Sequence, residues 1–187
     1  IRRGYTVTDK ADGIRNLLLF VADEINYTQC NAYLLNRQND IKTLGISAPI
    51  EYANTLIDGE LIMKDIHKKT IQLYMAFDIY YVQGKNVMAL PFPKRVGTPD
   101  NKGFLLNIID ELRLAIKKEE RNPFLLEYKT FYYGNFLEEK KDTAIFKYCK
   151  IILNKALAGS YPYFIDGLIF TPINEGIWGD GIPKKNQ

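Results

Sequence analysis

The stretch Thr8-Asp9-Lys10-Ala11-Asp12-Gly13-Ile14-Arg15 lies at the junction of two short predicted strands. It places four charged side chains around one glycine, which permits a tight backbone. A lysine in such a cluster can attack an electrophile only when it is neutral, and desolvation or a nearby cation such as Arg15 lowers its pKa. The same string also fits an ordinary charged turn.

Strand signals extend from this stretch along most of the chain. Apolar, β-branched and aromatic residues predict strands over residues 14–21, 31–36, 55–63, 70–82, 124–131 and 165–170. We expect the first two to form a hairpin across residues 23–28. We also expect the strand over 55–63 to be broken at Asp58-Gly59-Glu60.

Two helices complete the predicted fold. Apolar residues recur with a period of about 3.6 over 104–120 and over 142–158. Asp142 is a plausible cap for the second helix, and Gly159 ends it. Many short strands with two helices predict an α+β fold with antiparallel sheets, rather than a series of βαβ units.

The composition narrows the classes of function. The 187 residues carry 47% hydrophobic and 25% charged residues, typical of one globular domain, and a net charge of +3 that permits an anionic ligand. The single histidine, His67, lies in a polar run that predicts a solvated turn. One histidine cannot form a multi-histidine metal site.

Cys30 and Cys149 form no CxxC pair, and two free thiols suit a reducing, intracellular location. No apolar run is long enough for a membrane span.

Three further strings carry acids or aromatic rings inside strands. In Thr55–Ile62, Glu60 could accept a hydrogen bond from a ribose hydroxyl or bind a metal ion. Alternatively, its carboxylate could be exposed to solvent at a bulge. Phe77 could stack on a purine or belong to the core. Asp166 could bind a divalent cation or begin a strand-entry turn.

In this order the four strings resemble the motif series of the covalent nucleotidyltransferase superfamily, which comprises mRNA capping guanylyltransferases and polynucleotide ligases. Lys10-Ala11-Asp12-Gly13-Ile14-Arg15, Thr55-Leu56-Ile57-Asp58-Gly59-Glu60 and Asp166-Gly167-Leu168-Ile169-Phe170 resemble the capping versions. The approach Gly4-Tyr5-Thr6-Val7-Thr8-Asp9 is most similar to multidomain capping enzymes of large DNA viruses. The resemblance implies a ligase-like, ATP-grasp-like domain over residues 1–171, with 172–187 as a loop.

The resemblance also implies roles for individual residues. Lys10 would attack the α-phosphate of GTP to form a covalent lysine–GMP, which then passes to the 5′-diphosphate end of nascent mRNA. The nucleotide would be bound by Asp12, Gly13, Arg15, Asp58, Glu60, Phe77, Lys129 and Asp166. Mg²⁺ or Mn²⁺ would lie near Asp166 and Glu60. Expected partners are RNA triphosphatase and methyltransferase domains, in a viral factory, the host cytoplasm, a virion or a nucleus.

Two alternatives remain beside the capping reading. The string Phe77-Asp78-Ile79-Tyr80-Tyr81-Val82-Gln83-Gly84 also suits an ATP-dependent DNA or RNA ligase. A catalytically inactive module that binds RNA or protein is the second alternative. The family's later Lys-x-Lys motif and OB-fold find no counterpart here, since Lys184-Lys185 follows a proline, so we expect an incomplete enzyme.

Overall fold

A computed structural model describes residues 4–118, 122–134 and 142–177. Within them the chain forms α-helices at Phe92–Arg95 (α1), Phe104–Ala115 (α2) and Asp142–Leu157 (α3), and a short 3-10 turn at Ile50–Tyr52. The strands are β1 Tyr5–Ala11, β2 Ile14–Ala22, β3 Gln29–Leu35, β4 Ile41–Pro49, β5 Thr55–Lys64, β6 Thr70–Val82, β7 Lys85–Asn86, β8 Lys117–Lys118, β9 Phe124–Tyr128, β10 Tyr132–Tyr133 and β11 Ile165–Pro172.

The described strands form two sheets. The small sheet has the order β10-β1-β11, and the large sheet has the order β7-β6-β5-β2-β3-β4-β8. Strand β9 joins the large sheet beside β6, and this pair is parallel whereas the others are antiparallel. The predicted α+β class with antiparallel sheets and few helices is therefore confirmed, with one parallel pair that was not expected.

Several element predictions are confirmed and three are wrong, among them the strand over 124–131, which ends at Tyr128. The β2–β3 hairpin forms as expected. Strand β5 runs unbroken through Asp58, Gly59 and Glu60, because its register with β6 shifts there while pairing continues on both sides. The helix predicted over 104–120 ends at Ala115, because Lys117 and the residue after it pair with the edge strand β4.

The main core lies under the large sheet. Strand β2 alternates between buried and less buried positions, as a sheet with one covered face requires, and it buries Leu18 and Phe20 completely. Helix α2 packs its apolar stripe, including Leu105 and Ile109, against the same core. The polar side chains described below extend from strands of both the small sheet and the large sheet.

A β-bulge in β11 interrupts the small sheet beside Lys10. Gly167 lies opposite Lys10, and the register shifts at that point. The residue of β11 left without a partner in β1 is Asp166. A bulge redirects the side chain of the extra residue, so this irregularity decides where the Asp166 carboxylate points.

The register between β5 and β6 shifts in the same way at two points near each other. Each shift leaves one residue of β6 without a partner in β5, and these residues are Phe77 and Tyr80. Both line the cavity described below. The large sheet is therefore locally irregular where it faces that cavity.

Gly59 lies at a close approach between β5 and a buried aromatic ring. A Cβ at this position would lie 2.4 Å from Cζ of Tyr74. The Tyr74 hydroxyl donates to the backbone carbonyls of Asn16 at 2.8 Å and Ile57 at 3.0 Å, so the ring cannot shift without losing these bonds. The glycine between two acids is thus required by the packing of the sheet.

Other expectations concern the rest of the described chain. No helix in residues 4–118, 122–134 or 142–177 is long and apolar enough to cross a membrane. His67 is exposed in a turn, as predicted, and Cys30 and Cys149 are free buried thiols. Asp142 begins α3, although its side chain, like Lys184 and Lys185, lies outside the described residues.

Candidate active site

A cavity of about 690 Å³ opens between the small and large sheets. Its wall contains all nine site residues predicted from the sequence: Lys10, Asp12, Gly13, Arg15, Asp58, Glu60, Phe77, Lys129 and Asp166. These residues are spread over more than 150 positions of the chain, and only the fold brings them together. The volume falls in the range of small-molecule sites.

Lys10 and Asp166 form an ion pair at the cavity wall. The Lys10 Nζ donates to the two carboxylate oxygens of Asp166 at 2.7 and 2.6 Å, and both side chains are about half exposed. This hydrogen bond, followed by the charges of Asp166, Glu60 and Asp12, raises the pKa of Lys10 above its ordinary value. In the free protein the amine is therefore protonated and must lose its proton before it can attack.

Replacing Asp166 with asparagine is expected to make the Lys10 amine more reactive toward a simple acylating reagent. The raised pKa falls when the bonded carboxylate is removed, so at a given pH below that pKa a larger fraction of Lys10 is neutral. The pH profile of Lys10 acylation, followed by mass spectrometry, should shift to lower pH. Asp12→Asn is the matched control, because Asp12 contributes least among the charges acting on Lys10. An unchanged profile in Asp166→Asn would contradict this assignment.

Arg15, Asp58 and Tyr80 form a second charged cluster on the wall made by the large sheet. The Arg15 Nε and Nη2 donate to the two oxygens of Asp58 at 2.9 and 2.5 Å. The Tyr80 hydroxyl donates to Asp58 at 2.7 Å and accepts from Arg15 at 2.9 Å. Asp58 is buried, and its hydrogen bond raises the pKa of Arg15 still further. The guanidinium is thus a fixed cation at the cavity.

Glu60 lines the cavity, and its carboxylate makes no hydrogen bond or ion pair with a described residue. Burial raises its pKa, while the charges of Lys129 and Lys10 act in the opposite direction. Gly13 packs directly against it, since a Cβ there would lie 2.7 Å from Cγ of Glu60. The carboxylate is therefore available to a ligand in the cavity.

The donor set fits a cation that is held mainly by a ligand. No group of three or more histidine, cysteine, aspartate or glutamate residues in the described part of the chain could enclose a metal ion. Mg²⁺ commonly takes one or two carboxylates together with phosphate oxygens and waters. Glu60 and Asp166 line the same cavity and supply such a pair.

Phe77 lines the cavity, and the next residue, Asp78, forms a buried ion pair with Arg95. The Arg15 guanidinium lies 6.0 Å from the centroid of the Phe77 ring. Asp78 accepts hydrogen bonds from Arg95 Nε and Nη2, both at 2.9 Å, and both side chains are nearly inaccessible. Burial raises the pKa of Asp78 although Arg95 acts to lower it. Arg95 also donates to the backbone carbonyls of Leu90 and Glu175.

Lys129 is more enclosed than the sequence suggested. Its side chain is 2% exposed, and Nζ donates to the backbone carbonyl of Asp9 at 2.9 Å. The carboxylate of Asp9 lies 3.4 Å from the same nitrogen. Lys129 still lines the cavity, and the charge of its buried ammonium acts on Glu60 in the same cavity.

Sequence reasoning missed four residues at or next to the cavity. Arg37 lines its rim, is exposed, and has no carboxylate partner among the described residues. The other three residues form hydrogen bonds with predicted site residues or with their neighbours. Tyr80 donates to Asp58, Arg95 donates to Asp78, and the Asp9 carbonyl accepts from Lys129. A signal existed for Asp9, which directly precedes Lys10. Arg37 and Arg95 lie in turns or a short helix that no periodicity marks.

The family comparison agrees with the motif series. The family model described as "mRNA capping enzyme, catalytic domain" matches residues 2–179. An mRNA-capping enzyme of Danio rerio is 24% identical over 175 residues, covering 93% of this chain and 27% of the relative. A probable mRNA-capping enzyme of Acanthamoeba polyphaga mimivirus is 28% identical over 206 residues, covering 91% and 16%.

A third relative is the mRNA-capping enzyme subunit alpha of Kluyveromyces lactis, 26% identical over 188 residues, which cover 92% of this chain and 37% of the relative. The chain thus spans well under half the length of these three relatives. The resemblance inferred from the motifs is confirmed, and a viral protein is among the matches. With nearly its whole length matched and its motif residues gathered around one cavity, the chain belongs to the mRNA capping enzyme catalytic-domain family.

Proposed function

We propose that this domain is an mRNA guanylyltransferase in which Lys10 is the nucleophile. The observation that carries the proposal is the half-exposed Lys10 amine in a cavity that also holds Arg15, Glu60 and Asp166. The neutral Nζ forms a P–N bond with the α-phosphorus of GTP, and the bond to the β-phosphate oxygen breaks to release pyrophosphate. The guanylate then passes to the terminal phosphate of a 5′-diphosphate RNA, which restores Lys10.

The proton on Lys10 has an acceptor in direct contact. Asp166 accepts hydrogen bonds from Nζ at 2.6 and 2.7 Å, so it is placed to take or relay the proton that the amine must lose. The same hydrogen bond keeps the resting amine charged. Activation therefore requires the Lys10–Asp166 pair to loosen when nucleotide binds.

A divalent cation, Mg²⁺ or Mn²⁺, would be held by Glu60 and Asp166 together with the triphosphate. When bound, such a cation would neutralise phosphate charge and favour the departure of pyrophosphate. Glu60 supports this assignment, because its carboxylate faces the cavity without a hydrogen bond from a described residue.

The remaining residues would bind the nucleoside and the phosphates. Phe77 offers a ring for stacking, and Arg15 is a fixed donor for the ribose. Lys129 lies in the wall, where its ammonium favours guanine, since O6 and N7 are both acceptors. Arg37, with no carboxylate partner among the described residues, adds positive charge at the rim for an incoming phosphate.

The substrates and partners of the complete protein belong to the same proposal. They are GTP, the 5′ end of nascent mRNA, and RNA triphosphatase and methyltransferase domains in cis or in trans. An intracellular site of action, in a viral factory, the cytoplasm or a nucleus, follows from the substrate. The Lys-x-Lys motif and OB-fold, if supplied by a longer chain, would complete the enzyme.

The test is covalent labelling with α-labelled nucleotide. The protein is incubated with Mg²⁺ or Mn²⁺ and with GTP or ATP, denatured, and examined for label attached through an acid-labile P–N bond. Label from GTP and not from ATP supports a guanylyltransferase. Label from ATP alone would instead identify a ligase-type adenylation domain. No label from either nucleotide in the full-length protein would identify a non-catalytic module.

A further inference from the structure

Lys129 and Phe77 lie on neighbouring segments of the fold, and both face the cavity. The parallel register pairs Tyr128 with Ala76, and the backbone N–H of Lys129 donates to the Ala76 carbonyl at 2.8 Å. Lys129 therefore follows directly on the strand beside Phe77, and both residues line the cavity. A base stacked on Phe77 would present one edge toward the segment directly after β9, which carries Lys129.

The Lys129 ammonium is fixed by a single neighbouring residue. It carries three N–H donors. One N–H donates to the Asp9 backbone carbonyl at 2.9 Å, and the Asp9 carboxylate lies 3.4 Å away. The remaining donor is left for an acceptor in the cavity. A free lysine side chain has four rotatable bonds, so two contacts to one residue remove most of its freedom.

Asp9 is itself held rigidly. Its side chain is 4% exposed, and the Tyr163 hydroxyl donates to its Oδ2 at 3.2 Å. The Thr8 hydroxyl lies 3.4 Å from its Oδ1. Successive side chains of a strand point to opposite faces, so Asp9 points away from the neighbouring Lys10. Asp9 thus faces Lys129 from the same strand that presents the nucleophile.

We propose that Asp9 is a positioning residue that sets base specificity, by holding the Lys129 ammonium against the O6 acceptor edge of a guanine stacked on Phe77. This inference rests on the proposed function, because it assumes that the cavity binds GTP. Without the carboxylate, the buried Lys129 loses the acid that lies 3.4 Å from its ammonium, and Glu60 in the cavity becomes the main negative charge acting on it. The ammonium then leaves its place, and the preference for an acceptor at the 6-position is lost.

The test compares GTP with 6-thio-GTP, in which a single atom replacement turns O6 into a much weaker acceptor. The readout is the rate constant for covalent labelling by GTP divided by that for 6-thio-GTP. This ratio is measured in wild type and in Asp9→Asn. We expect the ratio to fall about tenfold in the variant, the size typical for losing one hydrogen bond to a charged group. Asp100→Asn, an exposed aspartate with no bond to a described residue, is the matched control.

A second variant keeps the test decisive if Asp9→Asn does not fold. Tyr163→Phe removes only the hydroxyl that donates to Asp9, and we expect a smaller fall in the ratio, with the exposed Tyr27→Phe as control. A general structural defect slows both nucleotides equally and leaves the ratio unchanged. A ratio that stays constant or rises in the folded variants would overturn the role of Asp9. Absence of any wild-type adduct would overturn the proposed function instead.

Discussion

Lys10→Ala is expected to abolish covalent labelling by GTP, a loss of about a thousandfold or more. No other described lysine of the cavity is placed to replace it, because Lys129 is buried against Asp9. The folded state should tolerate the change, since the Lys10 side chain is half exposed and its main partner, Asp166, is equally exposed. Labelling is measured on denatured protein, and the melting temperature is measured in parallel.

Lys10→Arg is expected to fail as completely as Lys10→Ala. Guanidinium stays protonated at any pH at which the protein is folded, so it offers no lone pair to phosphorus even though it preserves the ion pair with Asp166. Lys42→Ala is the matched control, because Lys42 is an exposed strand lysine outside the cavity. Residual labelling in either Lys10 variant would show that another group is the nucleophile.

Arg95→Met is expected to lower the free energy of unfolding by about 3–5 kcal/mol, the cost typical of breaking one side of a buried ion pair. The change leaves the Asp78 carboxylate buried without its partner. It also removes the donor that the Leu90 and Glu175 carbonyls share. Urea denaturation at neutral pH measures the loss. Arg113→Met, which breaks an exposed pair with Glu127, should cost under about 1 kcal/mol.

The Arg95→Met variant should recover part of its stability in acid. Burial already raises the pKa of Asp78, and removing Arg95 takes away the largest of the effects that lower it. An acid whose folded pKa exceeds its unfolded pKa is stabilised by folding when protonated. That contribution is present below the unfolded pKa and is lost as pH rises through the folded pKa. The deficit relative to wild type should therefore shrink as pH falls toward the unfolded pKa, and a deficit independent of pH would contradict this explanation.

Much of the candidate site could be predicted because its charged residues lie in short sequence motifs. Lys10, Arg15, Glu60 and Asp166 lie in segments where charge interrupts apolar strands, and such interruptions are costly unless the charges are paired or used. The fold class was predictable for the same reason, since strand-length apolar runs and two periodic segments dominate the chain. The gathering of these strings around one cavity was not derivable from spacing alone.

The parts that escaped prediction depend on pairing between distant segments. Nothing in the alternation of β6 reveals that Phe77 and Tyr80 each stand without a partner in β5, because a bulge depends on the neighbouring strand. The helix over 104–120 was predicted too long because Lys117 has good helix propensity. In the structure Lys117 instead pairs with the edge strand β4. The role of Arg95 could not be predicted because its partner Asp78 lies 17 residues earlier, on another element.

The pairing of β1 with β11 has a consequence for how the domain is assembled. Lys10 and Asp166 are separated by 156 positions, and the small sheet joins the two ends of the described chain. Contacts between residues so far apart in sequence have a large entropic cost of loop closure, and they form slowly. During synthesis Lys10 emerges before Asp166, so a growing chain cannot form the Lys10–Asp166 pair until β11 has left the ribosome. Premature termination anywhere before residue 166 should therefore yield protein that cannot form the Lys10–Asp166 pair, whatever else of the large sheet has folded.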